Sequence, residues 1–126
     1  GQLRIDSYSD FFRVAISPEF SDIGDVDCTD FSDVELGSVV EIKVVSYRKL
    51  LTMKDEYDTD YDRLKARLNI ADIFDFAIVS ESLPEMDMEP SVEVSGVAEV
   101  LAKEYVVKVL KSNGEITNER ISIRIW

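Results

Sequence analysis

A mainly β chain with one short helix and a C-terminal hairpin is predicted by three features. These are a period-two apolar alternation from Ser38 to Ser46, helical spacing between Tyr57 and Phe74, and Asn113-Gly114 set between two β-rich runs.

Each element can be justified in chain order. Residues 11–16, "FFRVAI", predict a strand that stops at Ser17-Pro18, because proline removes a ladder donor. "SDIGDVDCTDFSD" then offers turn formers and carboxylates without an apolar period, the pattern of an acidic surface loop. From Ser38 to Ser46, Val40, Ile42 and Val44 alternate with Glu41, Lys43 and Tyr47, which predicts the clearest strand of the chain. Its continuation "YRKLLTM" predicts a bend, a bulge or a tight link to a further strand. Leu64, Leu68 and Ala71 recur at helical spacing with acids before bases, so one short helix is expected within 57–74. "FDFAIVSES" predicts a strand, "LPEMDMEP" a proline-bounded loop, and "SVEVSGVAEVLA" a strand interrupted at Gly96.

Asn113-Gly114 predicts a two-residue type I′ turn that places Ser112 opposite Glu115 and Val106 opposite Ile121. One hairpin face then collects Val106, Leu110, Ile121, Ile123 and Ile125. The other collects Tyr105, Val107, Val109, Arg120, Ser122, Arg124 and Trp126. The order strand, long bent strand, helix, strand, strand, hairpin agrees with a five-stranded OB-like barrel, in which a helix commonly joins the third and fourth strands. Immunoglobulin-like sandwiches can be assembled from similar strands.

Composition narrows function by exclusion. The 126 residues fit a single domain, 1–126, large enough to hold a core without covalent staples. Gly1 in place of Met suggests a tag-cleavage scar or an excised piece of a longer chain. With no histidine and Cys28 as the one cysteine, histidine triads, histidine metal ligands, multi-cysteine zinc sites and internal disulfides are excluded. Lone-cysteine usage suits a reducing compartment, and neither a membrane span nor a signal peptide is evident, so a cytoplasmic setting is expected, the host cytoplasm for a viral protein. Asp25, Asp27 and Asp30 would raise the Cys28 pKa, which argues against a nucleophile. "DEYDTDYD" spaces oxygen ligands at alternate positions, but Arg63 stands where a calcium loop needs glycine and Asn69 where it needs a bidentate Glu. No catalysis, metal or cofactor is expected.

Charge carries the remaining signal. The net charge of -12 is uneven: residues 1–36 hold nine acids and two bases, 37–54 one acid and four bases, and 55–62 five acids. Positive islands therefore interrupt an acidic chain, and clustering rather than net charge decides nucleic-acid binding. Single strands are held by cations along a groove and by aromatic faces that stack bases. The residues fitting that description are Lys43, Tyr47, Arg48 and Lys49 on the predicted central strand, with Tyr105, Arg120, Arg124 and Trp126 on one predicted hairpin face. Outward-facing Lys, Arg and Tyr are also what half-exposed strands ordinarily carry.

"FFRVAISPEF", with "GDVDCTDFSDVELGSVVEIKVVSYRKLLTM" after it, resembles the opening of a group of bacteriophage single-stranded DNA-binding proteins. The matching features are Ser17-Pro18-Glu19, Gly24-Asp25, the valine-rich "DFSDVELGSVVEIKVV" and Tyr47-Arg48-Lys49, over roughly residues 11–53, with an echo in "YVVKVLKSNGEI". The resemblance implies an OB-like barrel that coats single strands during phage replication, with Tyr47, Arg48 and Lys49 in or beside the groove. Two other classes stand beside this: a DNA mimic whose Asp55, Asp58, Asp60 and Asp62 occupy a protein partner's basic groove, or a structural phage module whose strand faces pack against neighbouring subunits.

Overall fold

In the computed structural model, which describes residues 2–8, 11–20, 37–91, 96 and 99–126, Ser46 ends one element and begins the next. It closes the two-residue strand β3 (Val45–Ser46) and caps helix α1 (Tyr47–Thr59). The Ser46 hydroxyl accepts from the Lys49 N–H at 3.1 Å, satisfying one of the orphan donors of the first turn. Leu50, Met53 and Tyr57, spaced by three and four, then form the inward stripe.

Of the strand expected from Ser38 to Ser46 only Val45 and Ser46 form a strand, and its expected continuation is corrected to a helix. Residues 37–44 have no regular structure, and "YRKLLTM" is the first half of α1 instead of a bent strand. The alternation of valines and isoleucine ends at Ser46, and beyond it the cap and the 3.6-residue stripe favour helix. The short helix expected within 57–74 is thus the end of α1 plus a second helix, α2 (Tyr61–Arg67). Asp60 separates them with φ of -148°. At the end of α2, Asn69 takes φ of 58°, with its N–H on the Ala66 carbonyl and that of Ile70 on the Lys65 carbonyl, the paired bonds of a Schellman stop.

The remaining strands are β1 (Gln2–Tyr8) and β2 (Phe11–Ser17), which pair antiparallel, then β4 (Phe76–Ser80), β5 (Leu101–Leu110) and β6 (Ile116–Ile125). β1 is not among the strands expected from the sequence, although Leu3 and Ile5 alternate there with Gln2, Arg4 and Asp6; β2 and β4 fall where expected. Half of the strand expected over 91–102 lies outside the described residues, its last two residues, Leu101 and Ala102, begin β5, and the acidic loop containing Cys28 lies outside them altogether. The second sheet has the order β3-β5-β6-β4, with β3 parallel to β5 and the other pairs antiparallel, and it curls into a half-barrel. The chain is therefore β-rich with a short helical region.

One face of this sheet carries the core. Val109 and Ile121 pack with Leu50, Leu83 and Met86, while Phe76 packs with Tyr57, Leu64 and Met88. Tyr57, Tyr61 and Phe76 form an aromatic trio with ring centroids 4.8 to 5.7 Å apart. "LPEMDMEP" is consequently more than a loop. Its Leu83, Met86 and Met88 are buried around a 3-10 turn (Pro84–Met86), and Met88 exchanges backbone hydrogen bonds with Ile78 at 2.7 and 2.9 Å. An apolar residue at every second or third position was the available signal.

The hairpin exists where expected, but its register is shifted by one residue. Leu110 lies opposite Ile116, and Tyr105, not Val106, lies opposite Ile121. Gly114 donates to the Lys111 carbonyl at 2.9 Å with φ of 83°, whereas Asn113 has no positive φ. The connection is a three-residue loop, Ser112 to Gly114, ending in a left-handed glycine, instead of a type I′ turn.

Candidate nucleic-acid interface

The register shift redistributes the residues expected to meet nucleic acid. Residues directly opposite in an antiparallel pair share a face. Tyr105 faces Ile121 and belongs to the side that bears Val109 and Ile123, while Arg120 faces Val106 and Arg124 faces Ala102 on the opposite side. The expected common face for Tyr105, Arg120 and Arg124 is therefore split. Tyr105 keeps an exposed ring with Lys103 Nζ 5.1 Å from its centroid, a cation-π contact.

The face holding Arg120 and Arg124 gains Lys108, opposite Asn118, a residue that the type I′ register would not have placed there. In the observed register Lys108, Arg120 and Arg124 project together, with Glu104 the one acid among these β5 and β6 positions. Lys108, Asn118, Arg120 and Arg124 are exposed and Ser122 is half-buried. Glu81 and Glu89 lie at its margin, 3.9 Å from Arg120 and 3.7 Å from Arg124. Exposed pairs at these separations are weak and exchangeable, so the guanidinium groups remain open to another anion. Trp126 comes directly after β6 and extends its ladder, exchanging backbone hydrogen bonds with Asp75 at 2.9 and 3.1 Å.

Tyr47, Arg48 and Lys49 have a different setting. They form the first turn of α1, so Lys43, Tyr47 and Lys49 do not share a strand face. Lys43 sits in the exposed irregular segment. The Tyr47 hydroxyl donates to Glu85 Oε1 at 2.6 Å, which raises the phenol pKa and lowers that of Glu85. Arg48 Nε and Lys49 Nζ lie 3.5 and 3.7 Å from the Glu19 carboxylate.

Glu19 is the centre of that group. It is buried and accepts a 2.5 Å hydrogen bond from Ser46 Oγ. This bond, with Arg48 and Lys49 behind it, holds the Glu19 carboxyl below its ordinary pKa against the opposing effect of burial. The first turn of α1 contains no acid of its own, so Glu19, arriving from the end of β2, supplies the negative charge that a helix N-terminus favours. Glu19 of Ser17-Pro18-Glu19 thus meets Arg48 and Lys49 of Tyr47-Arg48-Lys49 in space.

A second buried carboxylate, Glu119, accepts from the Ser82 hydroxyl, which lowers its pKa. On the helical side, Asp55, Asp58, Asp60 and Asp62 are all exposed, and Asp58 is bonded to Lys54 at 2.6 Å. No group of three or more potential metal ligands occurs among the described residues, and no helix there is long and apolar enough to cross a membrane. Comparisons with protein-family models, curated proteins and solved structures give no match for this chain.

Proposed function

We propose that this chain is a non-catalytic single-stranded nucleic-acid-binding protein of the phage replication type, contacting its ligand through the outer face of β5 and β6. The observation that carries the reading is the gathering of Lys108, Arg120 and Arg124 on one exposed face of an otherwise acidic chain. Asn118 and Ser122 supply neutral donors beside them, and Trp126 directly follows β6 with a ring able to stack a base. Phosphates would displace the loose Glu81 and Glu89 partners. Arg48 and Lys49 act first as holders of Glu19, and their contribution to binding is secondary. The OB-like barrel belongs to the same proposal, with the β1 and β2 pair supplying the strand that the four-stranded sheet lacks.

A titration of fluorescent oligo-dT at graded salt tests this. Binding should weaken with salt at a log-log slope of about -0.7 for each phosphate neutralised. Failure to bind at low salt would remove the proposal.

The exposed Asp55, Asp58, Asp60 and Asp62 at the corner of α1 and α2 favour a second reading, an acidic mimic that fills a protein's basic groove. It forecasts no oligo-dT binding and loss of a protein partner when these four are replaced by asparagine.

A further inference from the structure

We infer that residues 37–44 are a dormant extension of β3, able to zip along the open edge of β5 in the register already set by Val45 and Ser46. β3 pairs with β5 over two residues only, Val45 with Val109 and Ser46 with Leu110. β5 is ten residues long, and among the described residues no strand pairs with the edge of Leu101 to Lys108 that faces away from β6. The eight residues immediately before β3 have no regular structure and are mostly exposed. The vacant length of edge equals the length of idle chain beside it.

The pairing is obtained by continuing the parallel register backward. Val44 falls opposite Lys108, Ile42 opposite Val106, Val40 opposite Glu104, and Gly37 opposite Leu101. Val40, Ile42 and Val106 are 75%, 41% and 72% exposed, so closure covers apolar surface on both partners. On the other face Glu41 falls opposite Tyr105 and diagonal to Lys103, whose ammonium already lies over that ring. Opposite charges meet there.

The alternation that predicts a strand over Ser38 to Ser46 gains its physical meaning in this closed form. A valine- and isoleucine-rich segment prefers the pleated environment, and an open edge offers unpaired donors and acceptors. Ordering eight residues costs backbone entropy of the same order as the ladder bonds and apolar contacts return, so the segment rests between two lengths. Closure adds a strand to the sheet face that bears Lys108, Arg120 and Arg124, yet the pairing stands or falls independently of nucleic-acid binding.

Cross-linking of the full chain tests the register. With Cys28→Ser, the pair Ile42→Cys and Val106→Cys is compared with Ile42→Cys and Glu104→Cys, which lies on the same face but two residues out of register. Oxidation of dilute protein should give the intramolecular disulfide of the first pair at least about tenfold faster, since diagonal neighbours lie beyond disulfide reach. Equal rates, or a disulfide-linked dimer as the product, would overturn the inference, the dimer by assigning the edge to a second copy. Hydrogen exchange on the chain without cysteine substitutions gives an independent reading. Ile42→Pro should speed exchange of the β5 amides that point away from β6 by about tenfold, because proline removes a ladder donor and disrupts the zip. Unchanged exchange at residues 101–108 would contradict it.

Discussion

The Ser46 hydroxyl donates to the buried Glu19 carboxylate at 2.5 Å while accepting the Lys49 N–H at 3.1 Å, joining the end of β2 to the start of α1 through one side chain. Ser46→Ala should therefore lose both a helix cap and a partner for a buried charge, at a cost of about 2 kcal/mol. Ser46→Asp separates the two roles. Aspartate caps an isolated helix as well as serine, but here it would place a second carboxylate against Glu19. It should be more destabilising than alanine at pH 7, as read by urea unfolding. An Asp variant as stable as the parent would show that Glu19 is not held at this site.

Acid sensitivity arises from the same carboxylates. Glu19 and Glu119 both have folded pKa values below the ordinary 4.5, through the Ser46 and Ser82 hydroxyls respectively. Below about pH 4.5 the unfolded chain binds protons that the folded chain still refuses, so stability falls as pH falls through that window and is fully present above it. Glu119→Gln should flatten the acid limb of a plot of urea midpoint against pH. An unchanged limb would place the acid-sensitive groups elsewhere.

At the alkaline end the sign reverses. Burial first, then the neighbouring Tyr61 and Asp75, pushes the Tyr57 pKa well above 10, and its hydroxyl donates to the Phe76 carbonyl at 3.0 Å. Once pH exceeds about 10 the unfolded tyrosine ionises while the folded one stays protonated, so stability present below that pH is lost above it. Tyr57→Phe should cost about 1 kcal/mol at pH 7 and make the alkaline decline shallower.

The hairpin turn can be tested at both of its central residues. Gly114 holds φ of 83°, so Gly114→Ala should cost about 1 kcal/mol. Asn113 has no positive φ, and its Oδ1 accepts from the Glu115 N–H at 2.9 Å. Asn113→Gly should lower Tm, because it removes that acceptor and adds chain freedom; an unchanged Tm would contradict this description of the loop.

The sequence made β2, β4 and the hairpin strands legible and left their partners obscure. Asn113-Gly114 located the hairpin correctly, yet one left-handed glycine instead of two positive-φ residues moved every side chain of β5 relative to β6, which separated Tyr105 from Arg120 and Arg124. The alternation up to Ser46 concealed the helix behind it. Ser46 as a cap and Leu50, Met53 and Tyr57 as a stripe were present in the chain, but a helix start shows itself only when the preceding pattern is allowed to end. Positive islands could be seen in the sequence. That Arg48 and Lys49 would be occupied by Glu19 could not, since Glu19 lies far back along the chain, beyond the end of β2, and only the fold brings it to the helix start.

The most direct measurement of the proposed interface compares two double variants in the salt-graded oligo-dT titration. Arg120→Ala with Arg124→Ala should weaken binding and reduce the log-log salt slope by about 1.4, the share of two phosphate contacts on a single strand, while leaving Tm nearly unchanged. Arg48→Ala with Lys49→Ala should lower Tm through Glu19 and alter the slope by less. A slope that responds to Arg48 and Lys49 but not to Arg120 and Arg124, or a parent chain that does not bind oligo-dT at low salt, would contradict the account.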